Sequence, residues 1–329
     1  MHLSRDIVLL ITHSGDFFTI DRVAQALSKK GVKPIRFDTD KFPQQVQLTA
    51  HFDKSKSYHT IEYNNHDIST EQVQAVWMRR IWEPELSVQL APKFREACIK
   101  ESKATLDGFW DSLKQARWVD KLEQINYANN KLRQLRIASE VGFVIPQTVV
   151  TNKAESAREF FHQVKGKMVS KLLTPLSHSM EANSSFFLYT SIVKEEDLQD
   201  AESLCYCPMV FQEQIPKQQE LRVVYVNGNV FVGALNADVY AAAKVDWRQP
   251  SVDIGAWQHH QLPLEVVRCL KAFMERFGLL FGALDFILTP SGEYVFLEIN
   301  PVGEWGMLEK DLDLPISSAI ADALIPIHN

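Results

Sequence analysis

ALDFILTPSGEYVFLEINPVGE, residues 283–304, holds two apolar alternating runs flanking Pro290-Ser291-Gly292-Glu293, the pattern of a hairpin closed by a short turn. If Thr289 faces Tyr294 across that turn, Asp285 lies opposite Glu298. Asn300, two residues past Glu298, shares its face because side chains alternate along a strand. The other face would carry Leu284, Phe286, Leu288, Val295, Leu297 and Ile299 as an unbroken core surface. One side of the hairpin is therefore dry, and the other brings two carboxylates and an amide together. Like charges this close repel unless a cation or a proton sits between them. Hard oxygen donors on two strands suit Mg²⁺, which takes a few carboxylates plus substrate phosphates. An exposed hairpin with solvated acids satisfies the same spacing, and spacing alone leaves both readings open.

Asp285 followed by Leu297-Glu298-Ile299-Asn300-Pro301 resembles the metal-binding signature of ATP-grasp ligases. In that likeness Glu298 and Asn300 are the paired ligands and Asp285 the upstream acid, with Mg²⁺ as the metal.

The chain has 329 residues, room for two or three packed domains. Its 46% hydrophobic and 23% charged content is ordinary for a globular protein and argues against disorder. A formal charge of -6 gives no footprint for general nucleic-acid binding. No apolar run reaches the roughly 18 residues of a membrane span, and the N-terminal segment reads as a first strand, not a signal peptide. Cys98, Cys205, Cys207 and Cys269 are too few and too scattered for a disulfide framework, and Cys205-x-Cys207 lacks the spacing of a zinc site. Reduced thiols and a cytoplasmic setting are expected.

Residues 7–12, IVLLIT, form a buried strand, followed by a polar turn and helical spacing through Ile20, Val23, Ala24 and Leu27 up to Gly31. With a second strand at 32–38 this is a Rossmann-like β-α-β opening, although the glycine fingerprint of dinucleotide binding is absent. Two further β-like stretches, 45–52 and 59–63, lead to Ala75-Val76-Trp77-Met78-Arg79-Arg80-Ile81-Trp82. Adjacent arginines on a strand project to opposite sides, so at most one of Arg79 and Arg80 can enter a given cleft to hold a carboxylate or phosphate of a substrate. A long amphipathic helix is expected over 94–116, and a capped helix starts at Asn130-Lys131 and ends near Gly142.

Lys171 stands on an apolar strand, 167–173, where a cation needs an anionic partner or water. A strand at 186–189 precedes a helix expected over 193–204, whose front carries Glu195, Glu196 and Asp197. Acids in a first turn stabilise a helix through its dipole, and these could also receive basic side chains of a bound peptide. Asp246 and Arg248 share one face if extended, as in many surface ion pairs. A helix over 263–277, stopped by Gly278, delivers the chain to the hairpin, and a helix over 316–324 follows it.

THSGDFF, FDTDKFP, VWMRR, FQEQIPKQQELR, VDWR and LEINPVGEW, in this order, resemble the microviridin-type ATP-grasp ligases of cyanobacteria, which macrocyclise ribosomally made peptides into graspetides. The resemblance spans nearly the whole chain. It implies an α/β (α+β) architecture: an N-terminal Rossmann-like pre-ATP-grasp domain over 1–118, a central domain over 119–205 and a C-terminal ATP-grasp domain with the metal site over 206–329. It assigns Lys131, Lys171, Glu213, Ile215 and Glu220 to ATP, with Glu213 and Ile215 at the adenine hinge, and places Arg222 near the γ-phosphate. Asp246 and Arg248 match the pair that handles acidic residues of the core peptide. Residues 174–185 take the place of a glycine-rich lid but contain no glycine. The implied partners are ATP, Mg²⁺ and a precursor peptide whose leader is gripped by the central domain; no nucleic acid or membrane is involved, and a homodimer is admitted. The match is nearest to the member that forms ω-esters between Thr or Ser hydroxyls and Asp or Glu side chains. An ω-amide ligase, a ligase adding amino acids to a C-terminus and a non-catalytic peptide-binding module are the alternatives.

Overall fold

The computed structural model describes residues 5–54, 57–64, 66–173, 190–236 and 257–326. The first third opens with β1 (Ile7–Thr12), α1 (Phe18–Lys29) and β2 (Lys33–Asp38). A three-stranded antiparallel meander follows, β3 (Gln47–Phe52), β4 (Ser57–Tyr63) and β5 (His66–Ser69). Then come β6 (Val73–Met78), α2 (Pro92–Ser112) and β7 (Arg117–Val119). Strands β2, β1, β6 and β7 make a parallel sheet in that order. Its two faces are filled alternately, as the period of a strand requires: Val8 and Leu10 meet α1, while Ile7, Leu9 and Ile11 pack with Leu106, Phe109 and Trp110 of α2.

The middle of the chain carries α3 (Leu122–Ala128), α4 (Lys131–Glu140), β8 (Thr148–Thr151), α5 (Ala154–Gln163), β9 (Met168–Lys171), β10 (Ser191–Val193) and β11 (Met209–Glu213). The four strands form a second sheet in the order β10-β9-β11-β8, antiparallel throughout. Strand β11 sits inside it, so this sheet runs on as far as Glu213. The single helix expected over 193–204 is replaced by β10 and two short 3-10 turns, Glu195–Leu198 and Ala201–Tyr206. Asp197 spends its carboxylate on the Lys194 N–H at 2.8 Å, a local bond that competes with α-helical continuation.

The last third is a five-stranded antiparallel sheet, β14-β13-β12-β15-β16. In chain order these are β12 (Gln219–Val226), β13 (Asn229–Asn236), β14 (Gln258–His259), then α6 (Leu264–Phe277), β15 (Phe281–Leu288) and β16 (Tyr294–Asn300), with α7 (Gly306–Leu312) and α8 (Ile316–Leu324) at the end. Gly278, at φ 67°, stops α6: its N–H meets Glu275 O, and the Leu279 N–H meets Met274 O. Helix α8 is apolar nearly all round and is buried between the first and last sheets, in one core with α1, Trp77, Val224 and Trp305. The N-terminal and C-terminal sheets are thus cemented by shared burial.

Asp120, just past β7, adds a polar joint by accepting the N–H groups of Leu280 and Phe281 at 2.8 and 2.9 Å, at the entrance to β15. Burial pushes its carboxyl up to about 7, against the pull of the two N–H donors. A raised acid stabilises the fold below its unfolded value and loses that contribution as pH rises through the folded one. Stability is therefore expected to fall as pH rises from about 4 to about 7 and to level off above that, by no more than about 1.4 kcal/mol per pH unit. Asp120→Asn should flatten that slope; a variant with the wild-type slope would remove Asp120 as its source.

No described helix is long and apolar enough to cross a membrane, and all four cysteines are free thiols.

Candidate active site

The hairpin forms, and Asp285 does pair with Glu298, but by a different route. Thr289 bonds to Glu293 at the turn, where Gly292 takes φ 85°, so Leu288 faces Tyr294 and the register starts one residue off. A bulge between Phe296 and Glu298, with Leu297 the extra residue, restores it at Asp285. The expected dry face is corrected accordingly. Phe296, whose N–H is taken by Val144 O at 2.8 Å, joins Phe286, Phe143 and Phe273 in an aromatic cluster, whereas Leu297 is only half-buried.

On the other face a row of side chains crosses three strands. Arg222 of β12 pairs in register with Asp285 of β15, which pairs with Glu298 of β16. The Arg222 Nη1–H donates to Asp285 Oδ1 at 2.8 Å, while Nε and Nη2 donate to Glu304 O at 3.1 and 2.9 Å. Lys131, the first residue of α4, places Nζ 2.7 Å from Glu298 Oε2 and 3.4 Å from Leu172 O, next to Lys171 at the end of β9. Asn130 caps α4 by accepting the Arg133 N–H at 2.9 Å, as its sequence signature requires. Each carboxylate of the row thus has its own cation, and Lys131 links the row to the second sheet through Leu172 O.

Asn300 is exposed at the end of β16, and its Oδ1 accepts the Val302 N–H at 3.0 Å. Two carboxylates and an amide oxygen at one rim are a hard-oxygen donor set that fits Mg²⁺. Among the described residues no group of three or more His, Cys, Asp or Glu side chains competes for a metal. Glu220 is buried against Lys217, with which its carboxylate pairs. Glu213 and Ile215 lie half-buried at and beyond the end of β11, where the Glu213 N–H donates to Gln147 O at 2.9 Å. Glu195, Glu196 and Asp197 are exposed on the second sheet's side of the molecule, away from the row. Asp246, Arg248 and residues 174–185 lie outside the described residues.

Arg79 and Arg80 do not alternate as expected: β6 ends at Met78, both N–H groups donate to Ile11 O, and both guanidinium groups turn toward the Glu304 carboxylate. Arg79 is 1% exposed and bonds to Val302 O and to the Glu304 carboxylate, so it is a clamp on the loop after β16 and is closed to a substrate. Arg80 keeps 35% of its side chain exposed and stands 3.7 Å from the same carboxylate.

Two organising residues carry no signal in the sequence. Gln134 is 2% exposed; its amide N–H groups donate to Ala128 O and Ile299 O, and its carbonyl accepts the Ile299 N–H at 3.1 Å. That locks α4, and with it Lys131, onto β16. Glu304 joins the two halves: its backbone holds Arg222, its side chain holds Arg79, and Oε1 accepts the N–H groups of Trp305 and Gly306. Gly303 makes this approach possible. A Cβ there would lie 2.5 Å from Ala283 Cβ, 3.0 Å from Arg222 Nη2 and 3.1 Å from Asn300 Cβ. Gly303→Ala is expected to cost about 1–3 kcal/mol by overpacking and to lower turnover by moving Arg222; kcat and thermal midpoint unchanged together would contradict this.

Residues 7–126 match the family profile described as the MvdD pre-ATP grasp domain. Macrocyclase MdnB from Microcystis aeruginosa MRC is 62% identical over 98% of this chain and 99% of its own, with a TM-score of 0.83. The chain belongs to the microviridin-type ATP-grasp peptide ligases. Macrocyclase MdnC from the same organism, solved with precursor peptide MdnA, is 34% identical to this ligase over 97% of this chain and 99% of its own, at a TM-score of 0.87. A Chryseobacterium gregarium RiPP-associated ATP-grasp ligase, solved with ADP, a leader and a core peptide, shares 33% identity over 98% of each chain at 0.92. A comparison with curated proteins gave no match. The α/β architecture with an N-terminal pre-ATP-grasp domain is therefore as the sequence led one to expect.

Proposed function

We propose that this ligase macrocyclises a ribosomally made precursor peptide, using ATP to activate Asp or Glu side chains and joining each to a nucleophilic side chain of the same peptide. The observation that carries this is the row Arg222–Asp285–Glu298 with Lys131 at its end. Support comes from MdnC, solved with a precursor peptide, and from the C. gregarium ligase, solved with ADP, leader and core.

A carboxylate is a poor electrophile. Transfer of the γ-phosphoryl group to it gives an acyl phosphate and ADP; the nucleophile then attacks the carbonyl, loses its proton and expels phosphate. Mg²⁺, when held by Asp285, Glu298 and Asn300, supplies neutralisation of the phosphate charge. Lys131, Lys171 and Arg222 bind the anionic phosphates, and Glu213, Ile215 and Glu220 line the nucleotide's place. Holding both partners on one peptide supplies proximity. The exposed acids Glu195, Glu196 and Asp197 are assigned to the leader, and Asp246 with Arg248 to core carboxylates.

The ω-ester, from a Thr or Ser hydroxyl, is the product that the motif resemblance favours. A hydroxyl needs a base, however, and the described side chains of the row are two cations and the carboxylates paired with them. A lysine ammonium must also lose a proton before it attacks, so the ω-amide stands as the second reading on the shared fold and not on the lack of a base.

The test is incubation with ATP, Mg²⁺ and MdnA, followed by mass spectrometry for loss of one water per ring and by ADP release. No peptide-dependent ADP release would leave only a binding module. Threonine-bearing and lysine-bearing cores separate the two bonds, as does mild alkali, which opens the ester and spares the amide.

A further inference from the structure

A second constellation lies at the carboxyl ends of β1 and β6. Strand order reverses at β1, with β2 on one side and β6 on the other, and α1 and α2 cover opposite faces. In open α/β sheets the crevice outside such a reversal is where ligands bind. Here it is framed by Thr12-His13-Ser14-Gly15-Asp16 and by Arg79-Arg80-Ile81-Trp82.

The frame is rigidly built. The Arg79 and Arg80 N–H groups both donate to Ile11 O, at 2.9 and 3.3 Å, and the Ser14 N–H donates to Asp40 Oδ1 at 2.8 Å. The His13 ring stacks on Trp82 at 3.7 Å and 4°. The Gly15 N–H donates to His13 Nδ1 at 3.2 Å, which leaves the ring proton on Nε2, a buried donor with no hydrogen-bond partner. Burial disfavours the charged imidazole and lowers the His13 pKa.

The local acids are already committed. Asp16 accepts from Thr12 and Thr19 Oγ1, Asp38 accepts from Tyr63 OH and Arg36, and Asp40 accepts from Ser14. Arg79 takes Glu304 at close range, leaving Arg80 at 3.7 Å, beyond hydrogen-bond distance. Arg80 acts electrostatically on His13, and the Trp82 ring stacked on His13 is 41% exposed. The crevice therefore offers a loosely held guanidinium, an unspent imidazole N–H and an apolar face. It opens one residue from the γ-phosphate arginine, because Glu304 faces Arg80 with its carboxylate and Arg222 with its carbonyl.

The geometry points to a specificity site: Arg80, beside the His13–Trp82 stack, holds a second carboxylate of the precursor peptide, one that is not being activated, while Trp82 covers its apolar neighbours. This rests on the reading of the ligase as a peptide macrocyclase. An Arg–carboxylate contact at this position fixes the register of the core and so selects which acid reaches Arg222.

The probes are MdnA, a leader-only peptide cut from it, and the full chain carrying Arg80→Gln or Arg80→Lys. Wild type should bind MdnA more tightly than the leader alone, and Arg80→Gln should erase that difference. KM for MdnA should rise about tenfold, the worth of one charge-assisted contact, with KM for ATP unchanged and Arg80→Lys recovering part of the loss. Arg80 is partly exposed, so an unchanged thermal midpoint is expected for both variants. The site is overturned if Arg80→Gln leaves the KM for MdnA at the wild-type value, if it weakens the leader alone as much as MdnA, or if wild type does not distinguish the two peptides. Binding of MdnA without ADP release would defeat the macrocyclase reading instead, and the binding comparison would still decide on Arg80.

Discussion

Glu298→Gln lowers peptide dehydration by at least about a hundredfold, the scale on which loss of one charge from a phosphoryl-transfer site acts, while a leader-only peptide binds as before. The amide keeps the shape and one acceptor oxygen, so the change is one of charge. In the wild type the Glu298 carboxylate stands opposite Asp285 and 2.7 Å from the Lys131 ammonium. Without it the hard-oxygen set retains one anion, and Lys131 loses the partner that holds it at the row. Stability should change by no more than about 1 kcal/mol, the usual worth of a partly exposed pair, so the loss will not be misfolding. Titrating Mg²⁺ against turnover is the direct check: the variant should need more metal and still not reach the wild-type rate. Wild-type turnover at ordinary Mg²⁺ would remove Glu298 from the site.

What the sequence could disclose follows from the range of each interaction. The pairing of Asp285 with Glu298 was legible because period-two alternation and a nearby turn are local. The bulge at Leu297 was not, since it depends on Val144, on another segment, taking the Phe296 N–H. Two one-residue shifts, at the turn and at the bulge, cancel at Asp285, so the expected pair emerged from an incomplete premise. The expected divergence of Arg79 and Arg80 failed, because β6 ends at Met78 and both side chains turn toward Glu304, which lies 225 residues from Arg79 and so beyond any local pattern. Gln134 looked like any polar residue on a helix; only the packed structure shows its amide spent on both backbone groups of Ile299. Over residues 193–204 a helix with acids in its first turn was expected, and the Lys194 N–H donating to the Asp197 carboxylate prevailed.

Arg222→Ala should remove both turnover and stability, and the two losses can be separated. Arg222 is 5% exposed, and its guanidinium satisfies Asp285 and the backbone of Glu304 together. Truncation strands a partly buried carboxylate beside a second one, Glu298, and leaves the Glu304 carbonyl without its two donors. Breaking such a pair from one side costs about 3–5 kcal/mol, far more than the intact pair contributes. Adding Asp285→Asn should then recover much of the thermal midpoint, because the stranded charge is gone, but none of the activity, since the cation proposed to bind phosphate and a proposed metal ligand are both missing. Positions in direct contact do not add, and a coupling of about 0.5–3 kcal/mol between them is expected. If the double variant is no more stable than Arg222→Ala alone, the cost lies in the cavity and the lost Glu304 contacts. The carboxylate row would then be solvated well enough to do without its arginine, and the place of Arg222 would be owed to its proposed role toward phosphate and not to the fold.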